Sequence, residues 1–159
     1  MPDRLPTSDQ ALRLDNQLCF ALYSASLAMS KVYKPHLDAL GLTYPQYVAM
    51  LVLWEQDGLT VSEIGERLYL DSGTLTPLLK RLESAGYINR LRDTADERRV
   101  LIRLSAAGRR LKAKAAPIPA CMFEAAQCTL AELTTLTKQV RRLRDRLKTL
   151  DQPPTRKAP

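Results

Sequence analysis

Three observations in this sequence predict a mainly α-helical domain that carries one small β-hairpin. Apolar residues recur every three or four positions through most of the chain, capping signals punctuate those stretches, and the apolar period falls to two only around residues 87–105. At 159 residues, 45% hydrophobic and 26% charged, the chain has the size and composition of one globular domain with a real core.

The elements follow in order. Residues 1–13 are polar and proline-bearing, and read as a flexible arm. From 11 to 39, Leu14, Leu18, Ala21, Leu22, Ala25, Met29 and Val32 fall three or four apart, which predicts an amphipathic helix with a buried stripe. The stretch GLTYPQ breaks it. Pro45 suits the first turn of a second helix, capped by Thr43 or Tyr44 and running through YVAMLVLWEQ to a turn at Asp57 and Gly58. Two short helices follow, at Val61 to Leu70 and Asp71 to Ala85. Thr60 with Glu63 forms a capping box for the first, Asp71 or Ser72 caps the second, and Gly86 closes it. Two helices about a tight polar turn form a helix-turn-helix. Pro77 is a local conflict, since a proline past the first turn removes a backbone bond at roughly 3 kcal/mol.

The period then changes. YINRLR and RRVLIRLS alternate apolar and polar residues about DTADE, as in a β-hairpin with one side on the core. Ser105 caps a helix from Ala106 onward, Pro117 and Pro119 interrupt it, and Thr129 with Glu132 starts a last helix. There Leu133, Leu136, Val140, Leu143, Leu147 and Leu150 make a short coiled-coil-like seam, which packs either on its own domain or on a second copy. Residues 151–159 carry no large apolar side chain and read as a disordered tail.

Charge and cysteine usage narrow the function. The net charge is +7, and between Lys80 and Arg110 nine basic residues face four acidic ones; a second basic run spans Lys138 to Lys148. Localised basic charge on a helix-turn-helix and hairpin points to double-stranded DNA. Asp71, Ser72, Gly73, Thr74 and Thr76 give the second helix of the pair the small, hydrogen-bonding amino end that base reading needs, while Lys80, Arg81, Arg90, Arg92 and Arg99 are placed for phosphates. No run approaches a membrane span and no secretory signal is visible, so a cytoplasmic protein is expected. Cys19, Cys121 and Cys128 are odd in number and lack a C-x-x-C pair, and His36 is the single histidine. Neither a disulfide framework, nor a metal, nor a cofactor is expected.

The helix pair, the L-E-x-x-G-x-I-x-R run at Leu82 to Arg90 and the D-x-R at Asp96 to Arg98 resemble the MarR family of dimeric repressors. The stretches DNQLCFALY, YKP, LTYPQY, LYLDSGTLTPLLKRLE and DERRV are similar to its OhrR-type organic hydroperoxide sensors, over roughly residues 14–150. The resemblance implies a winged helix-turn-helix domain at 14–150, with the DNA-binding part at 60–104 and dimerisation helices at 14–40 and 105–150. It implies a homodimer that binds operator DNA when reduced and releases it when Cys19 is oxidised, with Arg98 entering the minor groove. No enzyme activity is expected.

Peroxide chemistry requires the thiolate, and no basic residue lies close to Cys19 in sequence, the nearest being Arg13 and Lys31. A helix dipole or donating phenols must supply the stabilisation. The resemblance assigns that role to Tyr33 and Tyr44 of the partner subunit, and Tyr23, four residues from Cys19, shares its helical face. Some members of the family resolve the sulfenic acid with a second cysteine on the helix after the wing. Cys121 and Cys128 flank that place, which Glu124 occupies, and 121, 124 and 128 are expected on one helical face. Two rival functions stay open, a repressor released by a phenolic or carboxylic ligand with Cys19 as a packing residue, and a thiol peroxidase, against which Cys19 lacks a P-x-x-x-T-x-x-C setting; Cys121 and Cys128 as bystanders is the alternative to a resolving role.

Overall fold

The computed structural model describes residues 8–96 and 98–150. The remainder of the expected arm and the expected tail at 151–159 lie outside the described residues. The chain divides into two compact units at Pro119.

The first unit opens with a single helical turn, α1 (Ser8–Ala11), and a 3-10 turn at Leu14–Asn16, so part of the expected arm is helical. The long helix α2 (Leu18–Asp38) starts later than the periodicity predicts. Gln17 is the reason: its backbone is extended, and its side-chain amide donates to the carbonyls of Ala11 and Arg13, which holds the chain in a turn before the helix. The expected buried stripe is also corrected. Leu37 is the one described residue of α2 that is buried, whereas Leu18 and Met29 are 58% and 51% exposed.

Helix α3 (Tyr44–Glu55) begins on a full capping box, with Thr43 Oγ1 accepting from the Gln46 N–H and the Gln46 side chain accepting from the Thr43 N–H, and with Pro45 in its first turn. Its hydrophobic residues Tyr47, Ala49, Met50, Val52 and Leu53 are buried. The strand β1 (Leu59–Thr60) comes next, then α4 (Val61–Leu68), capped reciprocally by Thr60 and Glu63. Helix α5 (Ser72–Ser84) is capped by Asp71 and buries Leu75, Leu78, Leu79 and Leu82. It ends in a Schellman motif: Gly86, at φ +77°, donates to the Glu83 carbonyl and Tyr87 to the Leu82 carbonyl. Pro77 lies inside α5, where its ring removes the bond that the Gly73 carbonyl would accept.

Strands β2 (Ile88–Arg92) and β3 (Val100–Leu104) form the predicted hairpin, and β1 adds a third antiparallel strand in the order β1–β3–β2, with Leu59 opposite Ile102 and Ile88 opposite Leu104. The extra strand was not legible because two residues carry no period. Ser105 caps α6 (Ala106–Ala115), whose first turn meets the end of α5 so closely that a Cβ on Gly108 would stand 2.0 Å from the Tyr87 carbonyl oxygen. Ile64, Leu75, Leu79, Leu82, Ile88 and Ile102 form the fully buried centre between helices and sheet.

The second unit holds most of α7 (Ile118–Ala126) and α8 (Leu130–Leu150), the latter started by the predicted box of Thr129 and Glu132. Gln127 turns left-handed at φ +50° and ends α7. Cys128 therefore stands beyond that helix and not on a face shared with Cys121 and Glu124, against expectation. No described residue of α8 is buried; Leu133 and Leu143 are half-buried and Leu136 is 55% exposed.

Gly108→Ala is expected to destabilise the fold by about 3 kcal/mol or more, because backbone and not a flexible side chain blocks the added methyl. Thr43→Ala is expected to cost about 1 kcal/mol through the lost cap. Urea denaturation of the two variants checks both, and equal losses would contradict the close approach at Gly108.

Candidate DNA interface and cysteine-tyrosine site

The amino end of α5 is built by its cap. Asp71 Oδ1 accepts from the Thr74 N–H at 2.9 Å and Oδ2 from the Thr74 hydroxyl at 3.1 Å, and these bonds hold the Asp71 carboxyl below its usual range. Asp71 and Thr74 are thus tied to one another, and Ser72 stays exposed beside them with Thr76 half-buried one turn on. Lys80 and Arg81 are exposed further along the helix.

The tip between β2 and β3 is ordered by two aspartates. Asp93 Oδ1 accepts from the Ala95 N–H and Asp96 Oδ1 from the Arg98 N–H, while Asp93 N–H bonds the Arg99 carbonyl across the loop. Arg98 projects from this frame 92% exposed, its Nε 3.2 Å from Asp96, and that contact lowers the Asp96 carboxyl. Arg99 lies 4.0 Å from Asp93. Its charge also lowers the Glu63 carboxyl, behind the larger effect of the Thr60 cap bonds. Thr60, Ser62, Glu63, Arg98 and Arg99 line a cleft of about 330 Å³ between α4 and the wing. Arg92 is exposed, but Arg90 is not the free phosphate group expected from the sequence. It is half-buried, with its N–H on Glu83 and its Nε enclosed and unpartnered.

Cys19 is exposed in the first turn of α2, where unsatisfied backbone N–H groups favour negative charge. Tyr23 is exposed one turn on. Tyr33 stands fourteen residues further along the same helix, about 21 Å away at 1.5 Å per residue, so the two cannot meet within one chain. Tyr33 and Tyr44 do come together, with ring centroids 5.0 Å apart. Burial, reinforced by Tyr44 and Tyr47, pushes the Tyr33 phenol up to about 12, which keeps it a hydrogen-bond donor. Cys121 and Cys128 are both free and half-buried, and the Cys128 thiol donates to the Ala126 carbonyl at 3.1 Å.

Comparison with known proteins agrees with this arrangement. The family described as transcriptional regulator SarA/Rot matches residues 31–115. The chain belongs to this family of MarR-like winged-helix regulators. It is 59% identical over 108 residues to the organic hydroperoxide resistance transcriptional regulator of Bacillus subtilis, covering 68% of this chain and 74% of that protein. It is 50% identical over 139 residues to the HTH-type transcriptional regulator TtmR of Methylorubrum extorquens, covering 87% and 71%. Among solved structures, reduced AbfR bound to DNA superposes with a TM-score of 0.73 at 32% identity, covering 87% of this chain and 96% of that one; AbfR comes from Staphylococcus epidermidis.

Within this SarA/Rot-type regulator, sequence reasoning missed Tyr47. It is buried, its ring lies 5.9 Å from Tyr33 and 6.4 Å from Tyr44, and burial raises its phenol too. The signal was present as the spacing of three from Tyr44. Trp54, edge-on to Tyr47, was missed as well.

A phenol raised in the native state binds its proton after the unfolded one has lost it. The stability contributed by Tyr33 is present below about pH 10 and is lost as pH rises towards about 12. Urea midpoints taken from pH 9 to 12 are expected to fall less steeply for Tyr33→Phe than for the native protein; parallel curves would contradict the burial of the hydroxyl.

Proposed function

We propose that this regulator is a homodimeric cytoplasmic repressor, not an enzyme, which holds operator DNA while reduced and releases it when an organic hydroperoxide oxidises Cys19. The observation that carries the reading is the separation along α2: a phenol about 21 Å along the same helix from Cys19 reaches such a sulfur only from a second copy laid antiparallel. Exposed apolar side chains stand on two sides of α2, Leu18, Leu22 and Met29 on one and Phe20, Tyr23 and Leu27 on the other; a second copy covers one of them, and burying each side chain contributes about 1 kcal/mol or more. The Bacillus relative is named for organic hydroperoxide resistance and AbfR was solved on DNA in its reduced form, which favours the same reading.

The Cys19 thiolate attacks the terminal peroxide oxygen, the O–O bond breaks, and the alkoxide leaves and takes a proton to become the alcohol. Sulfur is oxidised to the sulfenic acid as the peroxide is reduced. Tyr33 and Tyr44 of the second copy donate to the thiolate, and Tyr23 forms part of the wall. A second thiol then forms a disulfide with loss of water; Cys121 and Cys128 are the candidates, and a small cellular thiol is the third. The new bond strains the dimer helices and re-spaces the two winged helices. A bias of about 5.5 kcal/mol suffices to move such a switch from 1:99 to 99:1.

On DNA, Ser72 and Thr76 meet base edges, Lys80, Arg81, Arg92 and Arg99 meet phosphates, and Arg98 enters the minor groove, with Asp71 and Thr74 acting through the cap. Arg98→Ala is expected to weaken binding to a duplex selected from a random-sequence pool and to lower the slope of log affinity on log salt by about one; an unchanged slope would remove Arg98 from the interface.

The function itself is tested by the Cys19→Ser variant. Cumene hydroperoxide at one equivalent is expected to release the native protein from that duplex and leave the variant bound. Release of both would move the signal away from Cys19. Retention of both would favour a reversible phenolic or carboxylic ligand.

A further inference from the structure

The tyrosine cluster continues beyond Tyr44. Tyr44, Tyr47 and Trp54 lie three and seven residues apart on α3, so they follow one face of the helix over about 15 Å. The Tyr47 ring meets the indole of Trp54 edge-on, with centroids 6.4 Å apart and planes at 68°. At the far end the Trp54 Nε1–H donates to the Gly108 carbonyl at 2.9 Å, and Lys112 Nζ donates back to the Trp54 carbonyl at 3.2 Å.

Gly108 belongs to the first turn of α6, which is locked to the end of α5. The Tyr87 carbonyl leaves no room for a Cβ on Gly108. The Ser105 N–H donates to that same carbonyl at 3.0 Å. The Ser105 hydroxyl donates to the Gly86 carbonyl at 2.6 Å and accepts from the Gly108 N–H at 3.0 Å. Gly86 and Tyr87 are the residues that close α5. From Tyr33 to the carboxyl end of α5, each step is a packed or hydrogen-bonded contact that cannot slide freely.

We propose that Trp54 is a positioning residue that couples the tyrosine cluster to α5, the second helix of the helix-turn-helix, through its edge contact with Tyr47 and its indole N–H bond to Gly108. It rests on the proposed function in one respect, that the cluster moves when Cys19 is oxidised. An indole suits the task because one rigid side chain supplies both a large apolar edge and a directed donor; phenylalanine supplies only the first.

Trp54 is the single tryptophan, so its indole gives one resonance in a ¹H–¹⁵N spectrum of the full-length reduced protein. That resonance is expected to shift when the selected duplex is added and again, without DNA, in Tyr33→Phe. An indole that stays still on either change would overturn the coupling, and this arm involves no peroxide. In the second arm, Trp54→Phe is expected to bind the duplex within about threefold of the native affinity and to lose its Cys19 thiol to cumene hydroperoxide at the native rate. The loosening of DNA binding by oxidation is expected to shrink about tenfold. A full response in Trp54→Phe would overturn the proposal. A native protein that stays on DNA after oxidation would instead remove the peroxide reading, and the indole shifts would then decide the coupling alone.

Discussion

The rise of an α-helix is the constraint on which the rest of this structure depends. Helix α2 carries Cys19 in its first turn and Tyr33 in its fifth, about 21 Å away, and a continuous helix cannot fold back to join them. The same helix buries only Leu37 and leaves apolar side chains exposed on two sides, Leu18, Leu22 and Met29 on one and Phe20, Tyr23 and Leu27 on the other. In the proposed function both facts are met by a second chain laid along α2 in the opposite direction, which would cover apolar surface and bring sulfur and phenol together.

The DNA-binding end obeys a different rule, close packing without slack. Gly108 against Tyr87, Ser105 on Gly86 and the Asp57 carboxylate on the Leu104 N–H join α3, the hairpin and α6 to the end of α5. The wing tip is ordered by Asp93 and Asp96 through their own backbone neighbours. A body held in this way moves as a unit.

How much of this was legible follows from the range of each signal. Caps are local, and Thr43, Thr60, Asp71, Ser105 and Thr129 all start the helices that the sequence assigns to them. Gly86 ends α5 for the same reason. Features set by distant packing were less accessible: β1 exists because β3 lies beside it, and Arg90 is half enclosed because of where the hairpin sits on α5. Periodicity predicted the stripe on α2 but cannot say whether the covering surface belongs to the same chain. The face shared by 121, 124 and 128 failed on a single backbone angle at Gln127. Tyr47 and Trp54 carried the right spacing, yet aromatic residues on a buried helix face read as core until their ring geometry is known.

The central claim, that each sensing site takes its cysteine from one chain and its tyrosines from the other, is tested most directly with mixed dimers. One chain would carry Cys19→Ser and the other Tyr33→Phe with Tyr44→Phe, and the rate of thiol loss to cumene hydroperoxide would be measured. A site shared between chains leaves one intact copy in this dimer, so the remaining Cys19 is predicted to react at the native rate. Reaction at the slow rate of the dimer in which both chains carry the two phenylalanines would contradict the account.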